Sequence, residues 1–186
     1  VDTEQFRPPD DPGRPDGEFT ALFVGALSLR KGIQYLLPGW QRADVDGELR
    51  LAGKVAENAE PIVEEYRDDP TIHFLDWVDD PAEEYRNASV FVFPTIEEGS
   101  ALVTYEAMAA GLPSIVTPNA GSLIEDDEHG AVVKPRDARA VADAIEALGD
   151  DPERRRAMGR AARRTVEDYT WEQYGDRVAQ AHADLL

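Results

Sequence analysis

Cysteine is absent from the 186 residues, which excludes disulfides and thiolate metal ligation. Lysine is scarce: only Lys31, Lys54 and Lys134 stand among 19 basic residues, against 38 Asp plus Glu, for a formal net charge of −19. That balance argues against nucleic acid, because affinity for a phosphate backbone comes from Lys and Arg. No apolar run approaches the ~18–20 residues that a membrane-crossing helix needs, and no signal peptide is visible. The three histidines form no cluster with carboxylates, so no metal site is expected. The expectation is one sizeable cytoplasmic domain. The start at Val1 rather than Met is read as that of an excised fragment.

What is abundant is acid. One reading is an ordinarily acidic domain. The other is a protein adapted to a salt-rich cytoplasm, where screening collapses the self-repulsion of such a surface. Scarce lysine with abundant aspartate resembles haloarchaeal proteins, and that is the reading expected here.

Residues 1–18, VDTEQFRPPDDPGRPDGE, are rich in Pro, Gly and Asp without apolar period, as linkers are. Strands and helices then alternate. The pattern predicts strands at Phe19–Gly25, Glu48–Ala52, Thr71–Leu75, Val90–Phe93, Ser114–Val116 and Val132–Val133. Helices are predicted at Lys31–Arg42, Asn58–Arg67, Pro81–Asn87, Ala101–Ala110, Ala138–Leu148, Pro152–Glu167 and Trp171–Leu185. ALFVG, SVFVF and SIV are continuous apolar runs, the mark of strands covered on both faces. The fold class is therefore α/β: a doubly wound, Rossmann-like parallel sheet of about six strands with right-handed crossovers.

Ligands of such sheets bind outside the carboxyl ends of the strands, and the chemically odd residues fall there. After the first strand comes Gly25 and then the pair Arg30–Lys31, which opposes the dipole of the helix it precedes. The pair marks either a docked anion or a solvated turn. After the fourth strand comes Glu97-Glu98-Gly99-Ser100. Gly99 permits close backbone approach, the amides of Ser100, Ala101 and Leu102 suit a phosphate, and Glu98 offers acceptors for hydroxyls. In the following helix Glu106 is the one carboxylate among apolar and small residues. A buried anion needs a partner, and that partner is either a bound group or a distant arginine. Trp77, just past the third strand, either stacks on a base or packs in the core.

FVGALSLRKG, PTIEEGSALVTYEAMAAGLPSIVT, the Gly-Ser-x-x-x-Asp loop after it and the closing YTWEQY together resemble glycosyltransferase family 4. More narrowly, they are similar to the C-terminal, donor-nucleotide half of a GT-B enzyme. The resemblance runs from about Phe19 to the end, and its most specific part is the Glu98-x7-Glu106 spacing. It implies a retaining hexosyltransferase whose donor is a UDP-, GDP- or ADP-sugar, with no metal or other cofactor. Glu106 would hold the ribose hydroxyls and Glu98 the donor sugar. Gly99, Ser100, Ala101, Leu102 and Val103 would meet sugar and diphosphate, and Gly25 and Arg30 would border them. Lys31 would neutralise the leaving diphosphate, making Glu98 and Lys31 the catalytic pair. The backbone at Trp77 and Val78 would border the base.

The resemblance also implies a division into a linker (1–18), a donor domain (19–168) and a helix (169–186) that crosses back to a missing N-terminal acceptor domain. A membrane-associated acceptor would meet that missing half, and the fragment alone would be inactive. The alternative is an epimerase-like or degenerate binding domain on the same fold. Three departures stand out. Ala26 occupies a position where the family often has Arg. Gly99-Ser100-Ala101 replaces Gly-Phe-Gly, and Asp76 replaces a usual Gly.

Overall fold

The computed structural model describes residues 1–9 and 18–183. Six parallel strands form one sheet in the order β3-β2-β1-β4-β5-β6. They are β1 (Phe19–Val24), β2 (Gly47–Ala52), β3 (Ile72–Asp76), β4 (Val90–Phe93), β5 (Ser114–Val116) and β6 (Gly130–Val132). This is the doubly wound order, in which the chain reverses direction of travel between β1 and β4. The apolar runs in the sequence are the central strands: every residue of β4 and β5 is buried, and β1 is buried from Phe19 to Phe23. Phe23, Phe91 and Phe93 stack across β1 and β4 at 5.7–5.8 Å. Each such side chain removed from water contributes about 1.5–3 kcal/mol, so the sheet centre is the rigid base of anything built on its rim.

Among the described residues there are seven α-helices: α1 (Ile33–Arg42), α2 (Glu60–Glu64), α3 (Pro81–Asn87), α4 (Leu102–Ala109), α5 (Ala138–Gly149), α6 (Pro152–Val166) and α7 (Trp171–Ala183). In α1, Ile33, Leu36, Leu37 and Trp40 lie on one face and are buried, the helical period read from the sequence. The abundant aspartates find local work here. Asp80, Asp137 and Asp151 cap α3, α5 and α6, each accepting a backbone N–H of the first turn, a contribution of about 1 kcal/mol each.

Several boundaries differ from the sequence expectation. Helix α1 begins at Ile33 rather than Lys31, because Gly32 takes a left-handed φ of 82° and caps it from outside. Helix α2 is only Glu60–Glu64. Beyond it the N–H groups of Glu65 and Tyr66 bond carbonyls three residues back, which is turn geometry. Helix α4 starts at Leu102, since Ala101 is extended. Strand β6 sits at Gly130–Val132 rather than Val132–Val133, because Gly130–Val132 pair in register with Ser114–Val116 of β5.

Residues 1–9 pack on the domain despite their linker composition. Val1 and Phe6 are buried, and Phe6 meets the ring of Tyr85 edge-on at 5.6 Å. The rest of the expected linker, residues 10–17, lies outside the described residues. Helix α7 buries none of its residues and exposes Trp171, Tyr174 and Val178. Among the described residues no helix is long and apolar enough to cross a membrane.

Candidate functional site

Because β1 pairs with β2 on one side and β4 on the other, the chain winds away from β1 and β4 in opposite directions, and sheets of this class have their ligand crevice at that point, at the carboxyl ends of the strands. The loops leaving the two strands are stitched together. Ile96 N–H donates to the Arg30 carbonyl at 2.9 Å, and Thr95 Oγ1 donates to the same carbonyl at 3.0 Å. Gly32 is required for this seam, since a Cβ there would lie 2.0 Å from the Pro94 carbonyl oxygen. A third loop, after β5, closes the rim: Thr117 Oγ1 donates to the Thr95 carbonyl at 2.6 Å, and Glu98 N–H to that of Asn119 at 3.0 Å.

Into this frame project the charged residues. Lys31 Nζ and Arg30 Nη1 both donate to Glu98 Oε1, each at 2.7 Å. The Lys31 and Glu98 side chains keep only 16% and 10% exposure, whereas Arg30 keeps 56%. Lys31 also lies 4.9 Å above the Phe93 ring. Burial would push the Glu98 carboxyl up, but the hydrogen bonds and charges of Lys31 and Arg30 outweigh it and hold the group below the usual carboxylate range. Oxygen Oε2 of Glu98 accepts no hydrogen bond among the described residues. The three charges sum to +1, and there is open space beside Gly25 and Gly99, where an added Cβ would meet nothing within 4 Å.

The helices that start at this crevice differ from those at the flanks. Helices α1 and α4 have no side-chain cap and no acidic residue in their first turns, although the chain carries 38 acids. Their positive ends are not offset by acids within their own first turns. The amides of Gly99, Ser100, Leu102 and Val103 find no acceptor among the described residues. Ala101 is a correction to the expected cradle: its N–H is committed to the Ala120 carbonyl at 3.1 Å.

Glu106 is half-buried, and among the described residues the hydrogen-bond partner of its side chain is a tyrosine rather than a distant arginine. Tyr85, fully buried on α3, donates its hydroxyl to Glu106 Oε2 at 3.0 Å. Burial raises the Glu106 carboxyl above its ordinary value, and the tyrosine hydrogen bond offsets only part of this. One oxygen of Glu106 is thus held, and the other accepts no hydrogen bond among the described residues. Sequence reasoning missed Tyr85, which no local spacing connects to Glu106.

Trp77 is 69% exposed, so it is not a core residue; its indole N–H donates to Asp79 at 3.0 Å. Val78 is half-buried and packs against the core. Asp76, where the family resemblance leads one to expect Gly, holds φ at 53°. That left-handed conformation explains the usual Gly, and Asp is among the residues that tolerate it. His129, near the amino end of β6, is satisfied structurally: Nδ1 accepts from Glu125 N–H and Nε2 faces Thr165 Oγ1 at 3.0 Å. Among the described residues no group of three His, Asp or Glu is placed to hold a metal.

A second basic region lies at the opposite, amino-terminal end of the sheet. There Arg50, Arg86, Arg155, Arg160, Arg163 and Arg164 line a groove of about 750 Å³.

With this geometry in hand, comparison with known proteins identifies the class. Residues 18–151 match the family model described as Glycosyl transferases group 1, and the chain belongs to that family. It is 34% identical to a D-inositol 3-phosphate glycosyltransferase of Pseudarthrobacter chlorophenolicus over 87% of this chain and 41% of that protein. It is similar to sucrose-phosphate synthase of Thermosynechococcus elongatus, with 30% identity and a TM-score of 0.86 over 100% of this chain and 51% of that one. Anabaena HepE, solved in complex with UDP and glucose, shares the fold at a TM-score of 0.86 with 16% identity, over 99% of this chain and 56% of that one. The chain thus spans less than half the length of curated relatives such as the Pseudarthrobacter protein.

Proposed function

We propose that this chain is the donor-binding half of a retaining glycosyltransferase that transfers a sugar from a UDP-, GDP- or ADP-sugar. The observation that carries the reading is the meeting of Lys31, Arg30 and Glu98 beneath two helix ends that lack capping carboxylates. A diphosphate answers both features: it is an anion for Lys31 and Arg30, and an acceptor for the amides of Gly99, Ser100, Leu102 and Val103. Glu98 then takes donor-sugar hydroxyls on Oε2, and Glu106 takes ribose hydroxyls on the oxygen that Tyr85 leaves open. Gly25 borders the diphosphate, and the Trp77–Val78 backbone borders the base. Complexes of Anabaena HepE with UDP and with UDP-glucose support the ligand class.

In this reading the crevice accelerates transfer by electrostatics. Lys31 and the fixed amides are aimed where negative charge develops on the departing β-phosphate, and they need no reorganisation as it forms. Residues 19–168 are the donor domain, 1–18 the linker and 169–186 the helix that crosses to an acceptor domain. The stripe of Trp171, Tyr174 and Val178 on α7 suits such a crossing. Closure of the two domains would orient the acceptor and exclude water, so this chain alone binds donor without transferring sugar. A radiolabelled-donor assay paired with calorimetric titration against UDP-, GDP- and ADP-sugars tests the proposal. One nucleotide class binding with no label transferred supports it. Label transfer by the chain alone overturns the division of labour, and no binding by any donor marks the domain as degenerate. The same proposal sets the chain in a salt-rich cytoplasm, and its melting point should rise with added KCl; a flat or falling one contradicts that setting.

A further inference from the structure

We propose that Glu98 is also an internal counter-anion that makes the crevice prefer a glycosylated diphosphate to a free one, so that the spent nucleotide is expelled. The inference rests on the donor-binding reading and assigns that site a control over product release.

The argument starts from the geometry. Arg30 and Lys31 share one carboxylate oxygen, at 2.7 Å each. Glu98 and Lys31 are largely screened from solvent, so their charges are felt more strongly than surface charges are. With Glu98 ionised, the local sum is +1; without it, +2.

The ligand's charge changes across the reaction. When the sugar's anomeric carbon exchanges its bond to the phosphate oxygen for one to an acceptor hydroxyl oxygen, the electron pair of the broken bond stays with the phosphate oxygen and the acceptor's proton passes to solvent. The β-phosphate therefore gains one negative charge as the sugar departs. The same step removes the hydroxyls that Glu98 Oε2 is open to accept. Before transfer, Glu98 attracts the sugar and only tempers the hold on the diphosphate. After transfer it has nothing to bind, and it repels an anion more highly charged than before. One carboxylate thus favours donor over product by two effects of the same sign, while its lowered pKa keeps it ionised throughout the neutral range.

Affinities for UDP, UDP-glucose and inorganic pyrophosphate, measured by calorimetry at one fixed salt concentration on the wild-type chain and on Glu98→Gln, test this. The wild type should bind UDP-glucose more tightly than UDP. Glu98→Gln should bind UDP about tenfold more tightly than the wild type does and UDP-glucose no more tightly, which narrows or inverts the preference. The gain should vanish in the double variant Lys31→Ala/Glu98→Gln. Unchanged or weaker UDP binding by a folded Glu98→Gln overturns the inference, as does a wild type that prefers UDP. If neither nucleotide binds either protein, the donor is not UDP-glucose, and the pyrophosphate arm decides the counter-anion role separately. Tighter pyrophosphate binding by Glu98→Gln upholds that role, and equal binding overturns it.

Discussion

The two ends of the sheet use basic residues for opposite purposes. At the amino-terminal end, helix C-termini present unpaired carbonyls, and arginines satisfy them. Arg163 donates to the Ala109 carbonyl at the end of α4, and to those of Thr3 and Phe6. Arg155 donates to the carbonyls of Leu148 and Gly149 at the end of α5 and lies over the Phe19 ring. These cations complement the negative ends of helices and hold the chain's first residues in place. At the carboxyl end, Arg30 and Lys31 instead stand near positive helix ends, where the dipole opposes them, and share one carboxylate. Charge that favours the fold is at one end; charge that fits a ligand is at the other.

Substitutions break the comparison in order of effect. Lys31→Ala should weaken nucleotide-sugar binding about 100-fold, roughly 3 kcal/mol, with little change in melting temperature. Arg163→Ala should do the reverse, costing about 2–3 kcal/mol of stability by denaturant titration while leaving affinity intact. If both variants lose affinity equally, the two ends are not functionally distinct.

Glu106→Gln should separate binding from stability within one residue. Donor affinity should fall by about 1–3 kcal/mol, because a charged hydrogen bond to the ribose becomes a neutral one. Stability should move the other way. The folded chain holds the Glu106 proton more tightly than the unfolded chain does, so the wild type loses stability as pH rises from the ordinary carboxylate value through the raised one. The Gln variant lacks that loss and should be the more stable protein at pH 7. Its advantage should disappear below the ordinary carboxylate range. Melting curves across pH check the sign.

The smallest expected effect tests the uncapped helix ends. Ser100→Asp, at an exposed position just before α4, should weaken nucleotide-sugar binding about tenfold by placing an anion where the diphosphate belongs. The helix itself should be no less stable, since the same charge suits its dipole.

The sheet and its rim were legible because their signals are local. Continuous apolar runs named β1, β4 and β5, and the loops after them carried Arg30, Lys31, Glu98 and Gly99 in plain view. What sequence reasoning missed depends on distant partners. Tyr85 meets Glu106 across 21 positions, from a helix whose own pattern says nothing of the contact. The acceptors of Arg155 and Arg163 are backbone carbonyls, which no residue type announces. The amide of Ala101 is held by the Ala120 carbonyl, a partner 19 positions away that its own loop does not announce. The short α2 and the shifted start of α1 follow from backbone turns that apolar periodicity does not register.

The central claim is that the crevice between the β1 and β4 loops receives the diphosphate. Mapping amide chemical shifts during a UDP titration tests it most directly. The account predicts changes concentrated at Gly25, Lys31, Gly99, Ser100, Leu102 and Val103, with α6 silent. Changes centred on Arg160 and Arg164 instead, at the opposite end of the sheet, would contradict it.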